Sequence, residues 1–256
     1  MTVMDHDDLA AAASGLDGAA TAARLARLPG VQRVPSAKLT LFLKRGFLDG
    51  ATCAGLIALI DANRRPSTIS DANGDAAFRT SETCDLDEAE PLVQRVEAAI
   101  GAATGIAPTY GEPLQGQRYA VGQEFKAHTD YFEPNGIDYH RYCDVAGNRT
   151  WTVMIYLNEP DAGGATRFKA VDKTIQPETG KLVAWNNRRP DRSLNPATIH
   201  HGMKVRAGTK YVITKWFRER PRGVTLRAKG PRASDAPAAP SLSAGSDQKV
   251  MLAPSV

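Results

Sequence analysis

The chain has 256 residues, 42% of them hydrophobic, enough for one sizeable buried core with a supporting helical layer. Its formal charge of +4 is only mildly basic, and the cations gather at Arg188, Arg189, Arg192 and over 218–229 without interleaved aromatics, which argues against nucleic-acid binding. The 3 cysteines, Cys53, Cys84 and Cys143, are odd in number and widely spaced, so they read as thiols of a reduced compartment, neither a disulfide frame nor a zinc site.

The chain begins acidic where a signal peptide is basic, and no apolar run approaches the roughly 18 residues that cross a bilayer. The expectation is a soluble, cytoplasmic chain with no membrane partner. Residues 1–30 are alanine-rich, with Leu9, Leu16, Leu25 and Leu28 as sparse apolar anchors. Gly15 and Gly18 interrupt the helical tendency and Pro29-Gly30 closes it, which predicts a marginal helical lead-in over 1–34, free to be mobile. Residues 38–42 alternate as a first strand. Asp49 then suits a helix N-cap, and Leu56, Ile57, Leu59 and Ile60 form one apolar helix face that ends at Arg64-Arg65-Pro66. After a polar loop over 67–78, with a turn at 71–74, a second helix is predicted from 88 to about 104. Pro91 lies in its first turn, and Leu92, Val93, Val96 and Ile100 recur at helical spacing.

From Leu114 the pattern changes to short β-like runs, at 114–121, 124–130, 151–157, 165–169, 182–186, 198–201 and 211–217, with turns at 159–164 and 177–180. Many short strands behind leading helices predict an α+β fold whose core is a double-sheet jelly roll. Beyond Glu219 the composition turns to Pro, Ala, Ser, Gly and basic residues, so 222–256 is expected to be a disordered tail.

The chemistry gathers at His128 and Asp130. Alternate residues of a strand share a face, so this imidazole and carboxylate can aim at one point. They supply two members of a 2-His-1-carboxylate iron site. The third must be His200 or His201; neighbours on a strand point to opposite faces, and the residues alone leave the choice open. Lys210, flanked by apolar and aromatic residues, is a candidate to pair with the far carboxylate of a dicarboxylate cosubstrate such as 2-oxoglutarate.

The motifs run in a fixed order: Arg118-Tyr119-x-x-Gly122-Gln123, His128-x-Asp130, Gly163-Gly164-x-Thr166-x-Phe168, Trp185-Asn186, then His200, Lys210 and Lys215-Trp216, with Arg79-Thr80-Ser81 upstream. Over about residues 38–220 the chain resembles the prolyl 4-hydroxylase family of iron(II)/2-oxoglutarate dioxygenases. The resemblance implies a dioxygenase domain over 35–221 with a double-stranded β-helix core at about 112–218. It implies Fe(II), 2-oxoglutarate and O2, with ascorbate as reductant.

By that resemblance His200 is the distal ligand, because the family places this histidine ten residues before the lysine, and His201 faces away or lines the entrance. Lys210, Tyr119 and Thr166 would hold the far carboxylate of 2-oxoglutarate. Glu112, Tyr131, Arg149 and Trp216 match positions lining the family's peptide channel. The implied reaction is hydroxylation of a prolyl residue in a peptide or protein, with release of succinate and CO2. A free amino acid or small metabolite is the alternative substrate. A non-catalytic jelly-roll binding module would be expected to lack part of the triad or Lys210, and all four residues are present. Lys204 replaces a usual proline, Arg218 stands where some members have a channel-facing histidine, and the loop 133–148 is individual to this chain. The sequence carries no signal of oligomeric state.

Overall fold

Strands covered on both faces carry large apolar residues at nearly every position, and the central strands of this chain do. In a computed structural model, which describes residues 14–67 and 78–222, helix α1 (Gly18–Ala26) leads through β1 (Val31–Arg33) and β2 (Leu41–Lys44) to α2 (Gly50–Asn63). Then come β3 (Arg65–Pro66), β4 (Glu82–Asp85) and α3 (Pro91–Thr104). The next elements are β5 (Gln115–Tyr119), β6 (Phe125–His128), the short α4 (Tyr139–Cys143) and β7 (Arg149–Tyr156). After β7 the principal elements are β8 (Ala162–Gly163), β9 (Thr166–Phe168), β10 (Lys173–Ile175), β11 (Leu182–Asn186), β12 (His200–Gly202), β13 (Val205–Ala207) and β14 (Lys210–Arg218).

Antiparallel pairing builds an 8-stranded sheet in the order β1-β2-β11-β7-β14-β5-β4-β3 and a 4-stranded sheet in the order β10-β9-β12-β6. From β5 onward the chain crosses repeatedly from one sheet to the other, which is the jelly-roll arrangement expected from the sequence. Alternation along each strand sorts the core into two layers. Trp151, Val153 and Ile155 of β7 join Leu182, Ala184, Ile213 and Phe217 against Leu25, Leu56, Ile60, Val96 and Ile100 of the helices. Met154 and Tyr156 turn the other way, with Val183, Trp185 and Val212, to meet Phe168 and Ile175 of the smaller sheet. Among the described residues no helix is long and apolar enough to cross a membrane.

The helix signals largely hold at this level. Asp49 caps α2 by accepting from the Thr52 amide at 2.7 Å. α3 starts at Pro91, three residues later than expected from the sequence, and ends at Gly105, whose φ of 76° suits glycine. The strand expected at 38–42 is β2 and lies at Leu41–Lys44, after a β1 at Val31–Arg33 that the sequence pattern did not show; the Ser36 hydroxyl accepts from the amides of Lys38 and Leu39 and holds the intervening stretch in a turn. The lead-in is packed from Ser14 onward, contrary to the mobile reading. Leu25 is fully buried, and the Thr150 hydroxyl donates to the Ser14 carbonyl at 2.8 Å. Residues 1–13, the turn at 71–74 and the expected disordered tail beyond 222 lie outside the described residues.

Candidate metal centre

β12 pairs with β6 so that His200 lies opposite His128, and residues opposite one another on antiparallel strands share a face. Asp130 follows just beyond the end of β6. One ligand atom from each of His128, Asp130 and His200 lies within 4.8 Å of the others, the cluster of this kind found among the described residues. Burial and direction separate the two histidines. His200 is 6% exposed, whereas His201 points to the Glu124 carboxylate at 2.9 Å on the outer face.

Packing and backbone hydrogen bonds hold both rings. Phe125 stacks on His128 with centroids 3.5 Å apart, and Trp185 meets His200 edge-on at 4.9 Å. His128 Nδ1 donates to the Lys126 carbonyl at 2.7 Å and His200 Nδ1 to the Thr198 carbonyl at 2.9 Å. A carbonyl only accepts, so each Nδ1 carries a proton and each Nε2 is the ring nitrogen left to ligate a metal. Burial, and then the neighbouring His200, push His128 down to about 3, so its imidazole is neutral. Burial works against the charge on Asp130, but His200, His128, Arg149 and the Thr152 hydroxyl outweigh it and hold its carboxyl below the usual value. Two imidazoles and a carboxylate at this spacing match the donor set of a divalent iron site.

Sequence reasoning missed two residues behind Asp130. The Thr152 hydroxyl donates to Asp130 Oδ2 at 2.7 Å and accepts from Asn187 Nδ2 at 2.9 Å. Thr152 sits at an even position of β7, between the helix-facing Trp151 and Val153, so strand alternation was the signal available for it.

Lys210, Tyr119 and Thr166 line one cavity with all three candidate ligands. Lys210 is 2% exposed, and burial pulls its ammonium down to about 7. Among the described residues it has only the faces of Tyr119 and Tyr156, at 4.9 and 5.4 Å, and no carboxylate. A buried cation without an anion fits a site built for a carboxylate. The Thr166 hydroxyl accepts from Tyr156 at 2.6 Å and donates only to the weak acceptor Met154 Sδ at 4.0 Å, which a carboxylate would displace. Tyr119 donates to Gln117 Oε1 at 2.8 Å, so a dicarboxylate reaching Tyr119 competes with Gln117 for one proton. Neither Gln117 nor Tyr156 stood out in the sequence.

A second cavity, of about 360 Å³, opens over His128 and Asp130, with Arg79, Tyr131, Arg149 and Trp216 on its walls. Glu112 does not line it. Arg149 grips both Glu112 oxygens, at 2.7 and 2.8 Å, and Arg218 approaches the same carboxylate at 3.1 Å. The Arg149 guanidinium lies 4.0 Å over Trp216 and 4.9 Å over Phe132. Arg218, at 7% exposure, is part of the wall behind. The Lys204 side chain is 57% exposed and 3.7 Å from Glu124, remote from the ligands.

Residues 114–218 match the family described as the 2OG-Fe(II) oxygenase superfamily. Probable prolyl 4-hydroxylase 8 of Arabidopsis thaliana is 32% identical over 203 residues, covering 69% of this chain and 67% of that protein. Prolyl 4-hydroxylase subunit alpha-1 of Gallus gallus is 33% identical over 146 residues, which cover 57% of this chain but span only 28% of that subunit. The fold is shared with a viral collagen prolyl hydroxylase of Paramecium Bursaria Chlorella virus-1, solved with 2OG. That likeness has a TM-score of 0.54 at 22% identity, over 70% of this chain and 94% of that one. A Trichoplax adhaerens prolyl hydroxylase, solved with a hypoxia inducible factor peptide fragment, gives 0.52 at 16% identity, over 85% and 94%. The chain belongs to the prolyl 4-hydroxylase family of Fe(II)/2-oxoglutarate-dependent dioxygenases.

Proposed function

We propose that the protein hydroxylates a prolyl residue in a peptide or protein, with Fe(II), 2-oxoglutarate and O2, and with ascorbate as reductant. The observation that carries this reading is the shared cavity of Lys210 with His128, Asp130 and His200. The imidazoles of His128 and His200 and the Asp130 carboxylate would hold the metal, and the unpaired Lys210 ammonium would hold the far carboxylate of the cosubstrate, helped by Thr166 and Tyr119. Iron, when bound, would activate O2 as the oxidant, one oxygen atom going to the substrate and the other to 2-oxoglutarate, which is oxidatively decarboxylated to succinate and CO2. The chain's own part is orientation and exclusion of water. Phe125 and Trp185 fix the ligand rings, and Tyr131, Arg149 and Trp216 shape the entrance through which the substrate ring reaches the metal. The names of the curated relatives and the peptide held by one structural neighbour support a prolyl peptide as substrate.

The test supplies purified protein with Fe(II), ascorbate and 2-oxoglutarate, then proline-rich peptides, a lysate proteome and free amino acids. The expected outcome is succinate release with a gain of one oxygen on a prolyl residue. Turnover on free proline or another metabolite with no modified peptide transfers the same chemistry to a small substrate. No succinate release from any mixture overturns the reading.

A further inference from the structure

Asp130 is held at both ends. Its backbone carbonyl accepts from Arg149 Nη1 at 3.1 Å, and its Oδ2 accepts from the Thr152 hydroxyl at 2.7 Å. The other oxygen, Oδ1, is the one that faces His128 Nε2, at 3.7 Å.

The direction of the chain of hydrogen bonds behind Oδ2 follows from counting protons. A hydroxyl has one proton to give. Asn187 Nδ2 donates to Thr152 Oγ1 at 2.9 Å, so that oxygen is already an acceptor there and its own proton goes to Asp130. Asn187 and Thr152 are both fully buried, and Asn187 Oδ1 is left with no hydrogen-bond partner. A buried amide oxygen without a partner is costly. Turning the amide over would place that oxygen against Thr152 and draw the hydroxyl proton away from Asp130. The orientation that leaves Oδ1 of Asn187 unsatisfied is the one that keeps Thr152 donating to the carboxylate.

We infer that Thr152, oriented by Asn187, is a positioning residue for the metal site. It occupies Oδ2 of Asp130, so that the carboxylate presents Oδ1 alone and binds the metal through one oxygen. This inference rests on the reading of His128, Asp130 and His200 as metal ligands. Groups that orient a ligand in this way characteristically change metal affinity by about 10–100-fold when removed. Loss of the hydroxyl would free the carboxylate to rotate and offer either oxygen. Thr152 lies beneath the ligand and lines neither cavity, so its effect passes through Asp130.

The experiment is a titration of the metal-stripped full chain with Mn(II), followed by the electron paramagnetic resonance signal of free Mn(II). Circular dichroism and thermal melting report whether each variant is folded. Thr152→Val keeps the shape and removes the hydroxyl, Thr152→Ser keeps the hydroxyl, and Asn187→Ala removes the orienting donor. The expected result is Mn(II) affinity weakened about tenfold or more in Thr152→Val, weakened in the same direction in Asn187→Ala, and close to wild type in Thr152→Ser. A purely structural threonine would lower the melting temperature without moving Mn(II) affinity, and that pattern overturns the inference. If Thr152→Val does not fold, Asn187→Ala decides against Thr152→Ser by the same comparison. If neither Thr152→Val nor Asn187→Ala folds, Thr152→Ser decides alone, with wild-type affinity supporting the inference and tenfold weaker binding overturning it. A wild-type chain that binds no Mn(II) overturns the metal-site reading together with the inference. A wild type that binds while its variants match it overturns the inference alone.

Discussion

His200 lies directly across the strand pair from His128, and the two ring centroids are 4.3 Å apart. The pairing register therefore sets the distance between two metal donors, and each ring's Nδ1 is already spent on its own strand. Alanine at His128, Asp130 or His200 is expected to abolish both Mn(II) binding and succinate release, while His201→Ala keeps both. Retained binding in His200→Ala with loss in His201→Ala would reverse the ligand assignment.

Lys210 carries an unbalanced charge in the core, so its removal should separate binding from stability. Lys210→Met is expected to raise the KM for 2-oxoglutarate by roughly 100- to 1,000-fold or more, since breaking a buried ion pair from one side costs about 3–5 kcal/mol. In the absence of 2-oxoglutarate the same variant should melt no lower than wild type, because a buried ammonium without an anion is replaced by an apolar chain of similar length. A drop in melting temperature with an unchanged KM would show that Lys210 supports the core and not the cosubstrate.

The pH dependence follows from the same group. Burial lowers Lys210 from its ordinary value of 10.5 to about 7. Between those values the unfolded chain binds the extra proton, so this group's contribution to stability rises as pH is raised through that window. Cosubstrate binding needs the ammonium, so 2-oxoglutarate affinity should fall over the same interval. Calorimetric titration of 2-oxoglutarate at pH 7 and pH 9, with melting curves of wild type and Lys210→Met, checks both signs. Affinity constant across the interval would remove Lys210 from the binding step.

The parts of the site legible in the sequence are those carried by strong strand alternation. Lys210, Val212 and Trp216 share a face of β14 because they are even-numbered neighbours on one strand, and His128 with Asp130 read the same way. What could not be read was set by distant partners. Glu112, matched to a channel position only by the resemblance, has its carboxylate held by Arg149, 37 positions away in sequence, a contact that no local pattern encodes. Thr152 and Asn187 were hidden for the same reason, being 35 positions apart. Among the elements, β3, β8 and β13 are too short and too exposed at their ends for periodicity to register. The start of β2 was misplaced by a single serine hydroxyl that competes for the backbone.

Glu112 should therefore act on stability more than on substrate. Its carboxyl is buried, which disfavours its charge, but Arg149 and Arg218 hold it below the usual value. Glu112→Ala leaves two guanidiniums facing each other without their anion, and is expected to cost roughly 3 kcal/mol in urea unfolding. Metal affinity should fall as well, because Arg149 also fixes the Asp130 carbonyl. A variant with wild-type stability and a raised peptide KM would restore Glu112 to the channel.

The packed lead-in gives a test far from the chemistry. Leu25 of α1 is fully buried in the helical layer of the core with Ile100, Ile106 and Trp151. Removing its side-chain branches leaves a cavity that rigid neighbours fill only in part, so Leu25→Ala is expected to cost about 2–5 kcal/mol. For a domain of this size each kcal/mol corresponds to about 2–4 °C in melting temperature. Mn(II) affinity in the folded fraction should stay close to wild type, because Leu25 belongs to the helix-facing layer and the histidine ligands to β6 and β12 of the 4-stranded sheet. A change within about 0.5 kcal/mol, as at an ordinary surface position, would mean that α1 is dispensable to the core.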